Sequence, residues 1–69
     1  MKVTDTKEFG TAIKTKRKER GYTQSFLSEF SGMSISFISD LEHGKETIEL
    51  GKAIKLANLL GMDLDLSGR

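Results

Sequence analysis

Apolar positions recur at helical spacing along the chain, and glycines punctuate them. Gly21, Gly32, Gly44 and Gly61 each close a stretch with a period near 3.6, where a C-terminal helix stop belongs. Four stops predict four helices. The first begins after Asp5 or Thr6, with Asp5 as cap and Glu8 completing a pattern like a capping box. Its apolar stripe is Phe9, Ala12, Ile13 and the stem of Lys16, and it ends at Arg20. The second starts at Thr23 and turns Phe26, Leu27 and Phe30 inward. The third starts at Ser34, faces Ile38 and Leu41 inward, and leaves Ile35, Ser36, Ser39 and Asp40 outward. The fourth starts near Thr47, with Leu50, Ala53, Ile54, Ala57 and Leu60 as its inner stripe. Phe9, Phe26, Leu27, Phe30, Ile38 and Leu41 are the expected core.

Two features exceed what one small core needs. Leu56 and Leu59 widen the apolar face of the fourth helix, as a contact with a second subunit would require. After Gly61 the period changes to two: Met62, Leu64 and Leu66 alternate with Asp63, Asp65 and Ser67. A lone strand leaves its backbone groups unsatisfied, so residues 62–67 read either as a frayed tail or as a strand pairing with its copy in a dimer.

Length and composition narrow the class. The 69 residues make one domain, with residues 1–5 as a flexible tail. The chain has no cysteine, so neither a disulfide framework nor a thiolate metal site is available, and a reducing cytoplasm is the expected setting. No apolar run reaches membrane-spanning length, and Met1–Lys7 lacks the apolar stretch of a signal peptide. Net charge is only +1, so composition alone does not point to nucleic acid. Placement matters more, because Lys14, Lys16, Arg17, Lys18 and Arg20 follow one another closely. That run is either a solvated helix face or a basic patch.

The short link Ser31-Gly32-Met33 makes the second and third helices a helix-turn-helix unit. A short third helix with small polar groups outside fits a DNA major groove, while the start of the second helix, at Thr23 and Gln24, offers amides to phosphate. Arg17, Gly21, Thr23-Gln24, Leu27, Gly32-Met33-Ser34, Ile38-Ser39, Leu41-Glu42, Gly44-Lys45, Leu50 and Ala57 with Leu60-Gly61 together resemble the lambda-repressor-like, or XRE, helix-turn-helix family. The run Ser36 to Thr47, then Leu50-Gly51-Lys52-Ala53 and the end Leu60 to Leu64, is similar to its HipB-like antitoxin branch.

That resemblance implies an all-α, four-helix DNA-binding domain with a short C-terminal β-strand pairing across a homodimer. It implies a repressor that binds a palindromic double-stranded operator, autoregulates its operon as an antitoxin and takes a HipA-like kinase toxin as partner. The expected DNA contacts are Arg17, Thr23, Gln24, Ser34, Ile35, Ser36, Phe37, Ser39, Asp40 and Lys45. Ile35, Ser36 and Asp40 occupy base-reading positions, and Arg17 with Glu42 resembles a buried ion pair. Leu56, Leu59, Met62, Leu64 and Leu66 are the expected dimer contacts.

Some positions depart from the family. Ile35 stands where Gln or Arg is frequent and can only pack, for instance on a thymine methyl. Asp40 repels phosphate, so it accepts from a cytosine amino group or only shapes the helix. Ile48 replaces a common Pro, and Ser28 a common Ala. Phe37 either touches a sugar or thymine or packs on the fourth helix. Tyr22 packs at the start of the second helix or offers its hydroxyl to phosphate. His43 has no second ligand near it in sequence, so no metal, cofactor or catalytic site is expected, and an enzyme is disfavoured. The alternative function is a protein-interaction module that binds a kinase-like partner without reading DNA.

Overall fold

A computed structural model describes residues 2–69. Four helices follow in order: α1 (Thr6–Glu19), α2 (Gln24–Ser31), α3 (Ile35–Glu42) and α4 (Leu50–Leu59). Three start as their side chains dictate. The Glu8 N–H donates to Asp5 Oδ1 at 2.7 Å, the Phe26 N–H to Thr23 Oγ1 at 3.0 Å and the Phe37 N–H to Ser34 Oγ at 3.0 Å. Each bond satisfies an amide that has no partner inside its helix. The Glu8 carboxylate reaches back to the Thr4 N–H at 2.7 Å, one residue ahead of the cap. Residues 4 and 5 are therefore tied to α1, and of the expected loose tail Met1 lies outside the described residues. All four stop glycines have positive φ, between 73° and 85°.

α4 starts later than the sequence suggests. Residues 45–49 form a turn instead, closed by the Ile48 N–H donating to the Lys45 carbonyl at 3.3 Å, and Ile48 packs on the core. Glu49 caps α4 by position only: its carboxylate bonds no first-turn amide and pairs with Lys52 at 3.1 Å instead.

The core is Ile13, Leu27, Ile38, Leu41, Leu56 and Leu60, fully buried, completed by Met33, Ala53 and Ala57. This corrects several expectations. Phe26 and Phe30 are about half exposed and lie outside the core. α2 is only eight residues long and inserts Leu27 alone. Phe26 and Phe30 sit on its flank, where they form an aromatic cluster with Tyr22; the Tyr22–Phe26 centroids are 4.7 Å apart and Phe26–Phe30 6.0 Å. On α4 the inner stripe is Ala53, Leu56, Ala57 and Leu60; Leu50 is exposed and Ile54 half-buried. The two alanines let α4 approach closely, and the large Leu56 then fills the core. Leu56 therefore has no surface to offer a second subunit, while Leu59 remains partly exposed.

α1 also turns differently. Its buried line is Gly10, Ile13 and Arg17, with Phe9, Ala12 and Lys16 half-buried beside it. Gly10 meets α3 backbone to backbone: an added Cβ would lie 2.9 Å from the Glu42 carbonyl oxygen and strike that of Leu41. The close approach is secured at the other end by Thr6, whose hydroxyl donates to the Gly44 carbonyl at 2.8 Å. Gly44, at φ +81°, could not carry a side chain, because a Cβ there would meet the Lys7 backbone at 2.7 Å.

Beyond α4 the Met62 N–H donates to the Ala57 carbonyl at 2.9 Å, and Met62 packs on the core. Residues 63–69 are exposed, Leu66 entirely, and the single chain forms no strand ladder among the described residues.

Candidate nucleic-acid interface

The link between α2 and α3 is held by its own serines. Ser28 Oγ donates to the Met33 carbonyl at 2.6 Å, and the Met33 N–H donates to Ser31 Oγ at 3.1 Å. With Gly32 at φ +76° and Met33 buried, these bonds set how α3 leaves α2. The serine at position 28 thus holds the turn where alanine could not.

The outer side of α3 presents Ser34, Ile35 and Ser36, all exposed, at its N-terminal end. Ile35 is 47% exposed, a large apolar group left open at the first position of the helix. Beside them a shallow open groove of about 330 Å³ runs between α3 and the start of α4, lined by Ser34, Ser36, Phe37, Asp40, Lys45, Thr47 and Lys52 among others. Phe37 is half-buried, packs on the core and carries Lys52 Nζ 5.8 Å from its ring centroid. The ring therefore both packs on the core and lines the groove. Asp40 pairs with Lys45 at 3.4 Å, both side chains about half exposed. Each tempers the other's charge, so Lys45 is less of a free phosphate anchor and Asp40 less of a phosphate repellent than the sequence alone suggests. Ser39 is half-buried, and its carbonyl accepts from His43 Nδ1 at 2.7 Å at the C-terminal end of α3.

Under this face lies a buried ionic cluster. Arg17 donates twice to Glu42, Nε to Oε2 at 2.7 Å and Nη2 to Oε1 at 3.0 Å, and its Nη1 donates to the Tyr22 carbonyl at 2.8 Å. Gln24 Nε2 adds a bond to Glu42 Oε1 at 3.1 Å. Burial raises the Glu42 pKa, but hydrogen bonds from Arg17 and Gln24 and the charges of Arg17 and Lys14 outweigh it, so the carboxyl sits below its ordinary value. Arg17, expected at the DNA surface, is instead spent inside; it can position the site but not touch a partner directly.

The basic run of the sequence is split in the same way. Arg17 is neutralised, and Arg20 donates to the Leu60 carbonyl at 3.1 Å, closing the end of α4. Only part of the run faces solvent. Conversely, Thr47 and Lys52 line the groove but are not among the expected DNA contacts. Their signal was faint, because both lie around a helix start that periodicity placed too early.

A helix-turn-helix family model matches residues 13–67. This chain belongs to the helix-turn-helix family, in its XRE type. An HTH-type transcriptional regulator of Sinorhizobium fredii, y4mF, is 34% identical over 59 residues, 86% of this chain and 78% of that protein. The ImmF control region 10 kDa protein of Bacillus phage phi105 is 34% identical over 62 residues, 90% of this chain and 69% of that protein. Among solved structures, a HipB–O4 20mer complex matches with a TM-score of 0.87 and 25% identity, covering 99% of this chain and 96% of that one. A HipA–HipB–O2–O3 complex gives the same TM-score, identity and coverage. The chain is an all-α helix-turn-helix transcriptional regulator. Among the described residues no helix is long and apolar enough to cross a membrane.

Proposed function

We propose that this chain is a homodimeric, sequence-specific repressor of the antitoxin kind, which binds a palindromic operator and a HipA-like kinase toxin. The observation that carries the reading is the free outer face of α3, Ser34-Ile35-Ser36, set by the serine-braced turn beside the α2 start. The likeness over nearly the whole chain to HipB in complexes with DNA and HipA supports it. Two α3 helices of a dimer would enter major grooves about one helical turn apart. Ile35 would pack on a thymine methyl, Ser36 would bond a base edge, and Ser34, Ser39 and Lys45 would hold phosphates, with Thr23 and Gln24 at the start of α2. The dimer would close through Leu59, Met62, Leu64 and Leu66, the tail strands pairing between copies.

Selection from a randomised DNA pool, at low and then physiological salt, tests this. The expected result is a palindrome with half-sites about one turn apart. Sequence-blind, salt-sensitive binding alone would sink the repressor reading. Two observations favour a second reading, a protein-binding module without DNA readout: Asp40 is already paired with Lys45, and Ile35 is apolar. Gln24→Ala with Ser36→Ala decides between them, since unchanged repression in cells would mean that this face reads no DNA.

A further inference from the structure

Gln24 is the first residue of α2, half-buried, with its amide on a carboxylate from α3. The Arg17–Glu42 pair is bidentate and complete without it, yet Gln24 Nε2 donates to Glu42 Oε1 at 3.1 Å. An ionised carboxylate only accepts, so it selects the nitrogen end of the amide and rejects the carbonyl end. Glu42 is held ionised by its partners, and its side chain is 2% exposed, so the choice is made in a site shielded from water. A planar amide with one N–H so committed has its second N–H fixed in direction as well. It does so at the start of α2, where unpaired backbone amides already favour an anion.

We propose that Glu42 is a positioning residue for DNA: it orients the Gln24 amide so that the second N–H meets a phosphate oxygen at the start of α2. The inference rests on the DNA-binding reading above. Arg17 makes the arrangement workable, because an unpaired carboxylate next to that phosphate would repel it. A side chain from the end of α3 thereby controls a contact made at the start of α2, and the ion pair joining α1 to α3 becomes part of the binding surface without touching DNA.

The test is a double-mutant cycle on the full chain, with the duplex recovered by selection as probe and affinity read by anisotropy at fixed salt. Gln24→Ala removes the contact and leaves the ion pair. Glu42→Asp keeps the charge and withdraws the carboxylate by one methylene. Glu42→Asp is expected to weaken binding about 5- to 20-fold when Gln24 is present and less than about 2-fold when it is Ala, the range of coupling for groups in direct contact. Equal losses in both backgrounds, at equal folded fraction, overturn the inference and leave DNA binding standing. A wild-type chain that recovers no duplex overturns both. Where Glu42→Asp does not fold, Arg17→Met with Glu42→Leu removes both charges together, the change that buried pairs tolerate best, and takes its place in the cycle.

Discussion

Arg17 and Glu42 concentrate more consequence than any other pair in this chain. Both are buried, and among the described residues no buried side-chain polar atom lacks a partner. Removing one member leaves the other's charge uncompensated, so Arg17→Met should cost about 3–5 kcal/mol, read by urea unfolding. Against a stability of roughly 3–10 kcal/mol for a chain of this length, that is at least about a third of what is available. The same pair sets the acid response. The folded pKa of Glu42 is depressed, so its contribution is present above the unfolded value and is lost as pH falls through the folded one. Melting temperatures should therefore decline as pH drops below about 4, and Glu42→Gln should flatten that part of the profile. Gly10 is the other sensitive point. Gly10→Ala raises helix propensity but drives a methyl into the Leu41 and Glu42 carbonyls, and a net loss of about 1–3 kcal/mol is expected from denaturation midpoints.

The short helices α2 and α3 depend on their ends and their link more than on propensity, since eight residues are too few to be helical alone. Thr23 and Ser34 each satisfy one amide of the first turn. Their replacement by Ala should cost about 1 kcal/mol apiece. The flank of α2 behaves differently. Phe26→Ser and Phe30→Ser give up exposed ring contacts, worth about 0.5–1.5 kcal/mol each, and not the 3–5 kcal/mol of a buried phenylalanine. A large loss from either would mean that another surface covers that cluster in solution.

For the assembled protein, the exposed apolar groups Leu59, Leu64 and Leu66 lie on the end of α4 and the tail that follows it. If the tails pair between copies, Leu64→Asp with Leu66→Asp should convert a dimer to a monomer in sedimentation while leaving the fold intact. With a net charge of +1, Arg17 buried in an ion pair and Arg20 bonded to the Leu60 carbonyl, the proposed DNA complex should have few phosphate contacts. With roughly five phosphates neutralised per dimer, log affinity against log salt should slope about −4 to −5. A slope near zero contradicts groove binding.

The helix count, the stop glycines, three of the four helix starts and the helix-turn-helix link were all legible in the chain, because each is decided within a few residues by cap chemistry, backbone sign or apolar period. The Arg17–Glu42 pair was legible only through family resemblance, since nothing local joins residues 25 apart. Which way each helix turned was left to packing. A glycine and an arginine do not read as an apolar stripe, yet Gly10 and Arg17 line the buried side of α1, because only a glycine allows α3 so close and only Glu42 allows an arginine there. Leu56 and Phe26 are both apolar in helical periods, but one fills the space that Ala53 and Ala57 leave and the other finds none beside Leu27. The division of the basic run into ion pair, helix cap and solvent had the same origin. Local chemistry determines where helices begin and end; which side of each is buried depends on shapes and charges that meet only once the chain has folded.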